Sequence, residues 1–183
     1  RLEEILSGGD VAAVKMEVMR SEAPSKKYLS KIRKLADKFD ALLIFDECTS
    51  GFRETFGGLH LKYNIDPDLA VLGKTLGNGY AITTVLGTQK VMSASQNSFI
   101  SSTFFTERIG YVAALATLNE MEKLKSWKII SQKGAAFKKK LLSISKKYKL
   151  ELDISGMDAL VCYNFKKIDA LAAKTFISQE MLK

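Results

Sequence analysis

Leu42-Leu43-Ile44-Phe45-Asp46-Glu47-Cys48 sets four bulky apolar residues in a row and then stops on two carboxylates. A short apolar run of that kind predicts a buried strand. In an open α/β sheet, ligands bind at the carboxyl ends of the strands, so Asp46 and Glu47 stand at the expected mouth of a site. Leu69-Ala70-Val71-Leu72 repeats the design and ends on Gly73-Lys74. If the two strands are parallel neighbours, about 4.8 Å apart, Asp46 and Lys74 project from one sheet edge into a common space. A strand-end salt bridge and a working site are both open readings of that pair.

Composition narrows the partners. The 183 residues are 46% apolar and 26% charged, which is ordinary for a globular chain with a proper core. No apolar run approaches the roughly 18 residues that a membrane span needs, and Arg1-Leu2-Glu3-Glu4 does not read as a signal peptide. The expectation is therefore a cytoplasmic protein without membrane partners. Cys48 and Cys162 lie far apart and make no metal-binding spacing, so reduced thiols and no metal site are expected. The net charge of +8 comes entirely from residues 124–183, which carry 13 Lys and Arg against 5 Asp and Glu. There Lys138, Lys139, Lys140, Lys146, Lys147 and Lys149 flank Phe137, Leu141, Leu142 and Ile144 at helical spacing. That pattern describes a solvated helix face rather than a nucleic-acid surface.

Taken in order, Val11–Met16 predicts a strand with Glu17 at its end. Pro24-Ser25 opens a helix whose apolar stripe is Tyr28, Leu29, Ile32, Leu35, Ala36 and Phe39, giving a βαβ unit up to Phe45. Thr49–Gly58 is polar and punctuated by glycine, a long loop of the kind that carries function. Asp66-Pro67-Asp68 launches the second apolar strand, Gly77-Asn78-Gly79 makes a turn, and Ala81–Leu86 favours a further strand. A helix is expected from about Glu107 to Lys123, burying Ile109, Val112, Ala113, Ala116 and Met121. Another follows over Trp127–Tyr148, then short strands at Leu150–Ile154 and Leu160–Asn164. Asp169 can cap a last helix running to Lys183.

Rival motifs fall on chemistry. Gly73-Lys74-Thr75 looks like half of a nucleotide-binding loop, but the position of that loop's first glycine is Asp68, whose charge would repel phosphate. The acidic strand also precedes it instead of following. His60 is the single histidine and reads as an exposed loop residue, since nothing nearby in sequence completes a triad or zinc site. Arg20 and Arg53 read as surface pairs, and Cys48 as a small residue at a strand end.

Leu42–Arg53 (LLIFDECTSGFR), Pro67–Tyr80 (PDLAVLGKTLGNGY) and Ser101–Phe104 (SSTF), with 28 residues between Asp46 and Lys74, resemble the class III aminotransferases, a group that includes glutamate-1-semialdehyde aminomutase. The resemblance implies fold type I, a mainly parallel sheet with helices on both faces, and pyridoxal 5'-phosphate as cofactor. It implies that Asp46 holds the protonated ring nitrogen and that Lys74 holds the aldehyde and shuttles a proton at the substrate carbon. Cys48 takes the place of a residue that packs on the ring, Glu47 is expected to meet substrate or water, and Ser102 and Thr103 resemble a phosphate contact given to a neighbouring subunit. A homodimer with shared sites follows, acting on a small amino donor and a carbonyl acceptor.

Thr49 stands where many relatives carry glutamine, and Val18 and Ala81 stand where prolines are common, which favours an aminomutase-like or sugar-aminotransferase-like branch. The resemblance also implies that the chain is an interior piece of a longer enzyme. Residues 1–123 would belong to the cofactor-binding large domain, and residues 124–183 would form a connecting helix and the start of a small α+β domain. The expected function is transfer of an amino group; an intramolecular aminomutase and a non-catalytic interaction protein with the inherited fold are the alternatives.

Overall fold

The computed structural model describes residues 1–166 and 169–183. A short helix, α1 (Leu2–Ser7), precedes β1 (Ala13–Glu17), α2 (Lys26–Lys38) and β2 (Leu42–Asp46). After a loop come β3 (Leu69–Leu72) and β4 (Thr84–Gly87), then α3 (Gln89–Ala94), α4 (Arg108–Leu124) and α5 (Ser126–Lys147). The chain closes with β5 (Leu152–Ser155), β6 (Cys162–Phe165) and α6 (Ala170–Met181). The main sheet has the order β1-β2-β3-β4. Its first three strands are parallel, with Glu17 beside Asp46 and Asp46 beside Val71, and β4 returns antiparallel. β5 and β6 form a separate antiparallel pair.

The strands obey their period. Along β2, Leu43 and Phe45 are buried while Leu42, Ile44 and Asp46 are only half-buried, because successive side chains point to opposite faces. Leu43 and Phe45 pack with Leu29, Ile32 and Ala36 of α2, and with Val18, Met19, Leu59 and Ile65. Fully burying side chains of this size contributes roughly 1.5–3 kcal/mol each. Ser25 caps α2, its hydroxyl accepting the Tyr28 N–H at 3.1 Å. Tyr28 itself stays exposed, so the buried stripe is Leu29, Ile32 and Ala36.

A second cluster joins Phe52, Leu72 and Leu76 to Ala114 and Met121 of α4. Here the expected face holds for Met121 but not for Ile109, Val112 and Ala116. Gly110, Ala114 and Met121 are buried, whereas Ile109, Val112 and Ala116 are exposed. α4 is apolar on more than one side, so periodicity alone could not choose its inner face. The same holds for α5, whose Phe137, Leu142 and Ile144 are substantially exposed. Asp169 caps α6 through the Leu171 and Ala172 N–H groups, as its position suggests.

The β5–β6 unit docks through the turn at residues 156–158. Met157 is buried in the first core cluster. The Gly156 N–H donates to Ser21 O at 2.9 Å, and the Asp158 N–H donates to Glu54 Oε1 at 2.9 Å. Lys138 of α5 ion-pairs with Asp158 at 2.9 Å.

Candidate active site

Parallel pairing of β2 and β3 brings their carboxyl ends to one edge, and Asp46 and Lys74 both belong to that edge. The β2–β3 ladder runs one step past Asp46, with the Glu47 N–H donating to Val71 O at 2.8 Å. Asp46 is accessible and doubly held: Oδ1 accepts the Cys48 N–H at 3.2 Å, and Oδ2 faces Lys15 Nζ at 3.1 Å. The Lys15 ammonium is the main reason that the Asp46 carboxyl sits below its ordinary value, against a smaller desolvation effect and with help from the Cys48 N–H.

Lys74 does not pair with Asp46, so the strand-end salt bridge is not what forms. Its Nζ donates to Thr49 Oγ1 at 2.6 Å. Lys74 is exposed and takes φ +40°, the left-handed region that costs a non-glycine residue on the order of 1–3 kcal/mol. Gly73 just before it allows the close approach: a Cβ there would meet Thr83 Cγ2 at 3.1 Å and Cys48 Sγ at 3.4 Å. Cys48 lies between the two charges. Burial raises its thiol first, Asp46 adds to the rise, and Lys74 and Lys15 oppose it.

Glu47 requires a correction. It is fully buried within this chain, its oxygens turned to protein donors rather than to solvent. Adjacent residues of an extended chain face opposite ways, so with Asp46 at the mouth Glu47 must turn into the core. There Oε2 accepts from Ser50 Oγ at 2.9 Å and from the Leu59 N–H, while Oε1 accepts the His60 N–H at 3.0 Å and meets His60 Nδ1 at 2.6 Å. Burial would raise this carboxyl, yet the His60 and Leu59 donors outweigh it and the net direction is down. A carboxylate can only accept, so Nδ1 carries the proton of that bond.

His60 is therefore not an exposed loop residue; its side chain is 13% exposed, beside Phe45 and on Glu47. Arg53 is not a surface ion pair either, since its Nε donates to Thr49 O at 2.6 Å. Arg20 does pair at the surface, with Glu17 at 3.5 Å. Ser102 and Thr103 are exposed, and Ser102 Oγ accepts only the nearby Phe104 N–H, at 3.4 Å. No hydrogen bond among the described residues joins either hydroxyl to Asp46 or Lys74.

The geometry thus offers an ionised carboxylate with free lone pairs, an exposed lysine 28 residues later, and a glycine before that lysine packed closely on Thr83 and Cys48. The model of the family described as "Aminotransferase class-III" matches residues 1–180. The chain belongs to the class III aminotransferases.

Among its relatives, a 3-aminobutyryl-CoA aminotransferase from Cloacimonas acidaminovorans is 33% identical over 81% of this chain and 36% of that protein. A glutamate-1-semialdehyde 2,1-aminomutase from Hyperthermus butylicus is 30% identical over 91% of this chain and 41% of its own length. The chain thus spans about two-fifths of the curated relatives that it matches. The FumI protein of Sphingopyxis sp. MTA144, solved in its PLP internal aldimine form, superposes with a TM-score of 0.86 at 28% identity. That match covers 91% of this chain and 42% of FumI. The ornithine aminotransferase of Plasmodium yoelii gives 0.85 at 25% identity, over 97% of this chain and 50% of that one.

Class III aminotransferases use pyridoxal phosphate. The residues present fit that group's two reactive ends: a carboxylate suits a protonated ring nitrogen, and a primary amine suits an aldehyde. Sequence reasoning missed Lys15 and the hydroxyl contact of Thr49. A lone lysine two places before Glu17 in an apolar strand was the available signal for the first.

Proposed function

We propose that this chain carries the cofactor-binding centre of an enzyme that moves an amino group between a small amino donor and a carbonyl compound. The observation that supports this best is the placement of Asp46 and Lys74 at the carboxyl ends of two neighbouring parallel strands, both close enough to act on Cys48. Pyridoxal phosphate, when bound, supplies an electron sink for the charge left at the substrate carbon. Asp46 would accept the ring N–H through the lone pairs that Lys15 and the Cys48 N–H leave free. Lys74 would hold the aldehyde carbon and then move a proton at the substrate carbon, while the Thr49 hydroxyl holds its Nζ in place. Cys48 would pack against the ring.

The test is borohydride reduction of the complete protein followed by peptide mapping. A pyridoxyl group on Lys74 is the expected result; a label on another lysine with Lys74 unmodified overturns the assignment. Asp46→Ala is expected to lose far more turnover than bound cofactor. Turnover within about threefold of wild type, under 1 kcal/mol in barrier, would remove Asp46 from the role.

An intramolecular aminomutase is the second reading, favoured by the aminomutase relative that aligns with 91% of the chain. Product formation without an external amino donor distinguishes it. The reading includes a cytoplasmic homodimer in which Ser102 and Thr103 serve the partner's site. Phe99, Ile100, Phe104 and Phe105 flank those hydroxyls and are exposed, as a segment awaiting another surface would be. Residues 1–123 would then be part of the cofactor domain, with residues 124–183 opening the smaller one.

A further inference from the structure

Lys15 is the one charged residue between Val11 and Met16. It lies two positions before Glu17, whose register partner is Asp46, so all three side chains share a face of the sheet. Lys15 Nζ stands 3.1 Å from Asp46 Oδ2, and the Cys48 N–H is 3.2 Å from Oδ1. Each oxygen therefore has one protein donor. An ionised carboxylate offers about four lone-pair directions, so these two donors leave about two open, enough for a further donor. The charged and titratable groups around Asp46 are Lys15 and Glu17 from β1, then Cys48 and Lys74. Glu17 is balanced by Arg20 at 3.5 Å, and Lys74 is tied to Thr49 at 2.6 Å. Lys15 is the cation with which Asp46 is paired.

We propose that Lys15, paired with Asp46, competes with the cofactor's pyridine nitrogen for that carboxylate. The inference rests on the reading of Asp46 given above. A carboxylate already balanced by an ammonium attracts a second cation less strongly. The Cys48 N–H still orients Asp46 when Lys15 is removed, so the loss of Lys15 removes the competing charge while leaving the carboxylate in place. Lys15 therefore sets how tightly the ring nitrogen is held, and through it the balance between cofactor retention and release.

The experiment compares wild type, Lys15→Met and Lys15→Arg in the complete protein. In the cofactor-free form, the Asp46 carboxyl is titrated by carbon NMR with Asp46→Asn for assignment. Binding is then measured for pyridoxal phosphate and for its deaza analogue, in which a carbon replaces the ring nitrogen. In Lys15→Met the Asp46 midpoint is expected to rise, and pyridoxal phosphate to bind up to about fivefold more tightly, the most that a pair this exposed is worth. The deaza analogue should be unaffected, and Lys15→Arg should behave as wild type. An unmoved Asp46 midpoint, or equal changes for both ligands, overturns the proposal, since a merely structural role would move both alike. If wild type holds the two ligands equally well, the Asp46 reading itself fails, and the proposal with it; the cofactor-free titration still reports the Lys15–Asp46 pair separately.

Discussion

At the scale of single residues, the pair Asp46-Glu47 shows how one step along the backbone separates chemistry from architecture. Asp46 looks out to Lys15 and the Cys48 N–H, and Glu47 looks in to two backbone N–H groups, a serine and a histidine. Glu47→Gln keeps the size but presents an amide NH₂ to donors that need an acceptor. It is expected to destabilise the protein by about 3 kcal/mol, read from the denaturant midpoint at unchanged slope. A loss below about 1 kcal/mol would show that the network relaxes around the change. The sign with pH follows from the direction of its shift. Glu47 binds its proton less tightly when folded than at its ordinary value of 4.5, so its contribution is complete above that value and fades as pH falls through the lower folded one. Adjacent carboxylates in a strand cannot both face a site, and counting the period past Phe45 would have assigned Glu47 to the core. His60 was less legible, because its partner lies 13 residues earlier and only the return of the loop joins them.

Among the elements, β2 and β3 were legible as short apolar runs and α2 by its single buried stripe. β2 alternates, α2 carries a single stripe with Ser25 at its start, and β3 repeats β2. α4 and α5 have apolar residues around much of their circumference, and there the pattern underdetermines the packing. Contacts made by the turn at residues 156–158 were invisible for another reason: Met157 reaches a cluster whose other members come from residues 18–65. Met157→Ala is expected to cost about 2–5 kcal/mol and to raise hydrogen exchange in β5 and β6 before it does so in β2. Equal loosening of both sheets would mean that the turn is an integral part of the main core rather than its connection to the second sheet.

At the scale of the whole molecule, exposed apolar residues run along β4, the segment before α4 and the outer face of α4, with Val85, Leu86, Phe99, Ile109, Val112 and Leu115 among them, and others lie on α5 and α6. Under the proposed dimer, mixing Lys74→Ala subunits with Thr103→Val subunits regenerates one intact site per mixed pair. Activity that neither variant has alone is the expected result; none, despite proven subunit exchange, would return Thr103 to its own chain. The docking of β5–β6 also constrains movement. Gly134 in α5 lies so close to the Asp158 backbone that any Cβ there would collide with it. Sliding α5 by one turn, about 5.4 Å, would bring Ile130 or Lys138 to the place of Gly134, so translation along the helix is blocked. The Ser21, Glu54 and Lys138 contacts of the same turn oppose rotation. Gly134 therefore works as a keyway, and the small sheet seats in one place and is locked there.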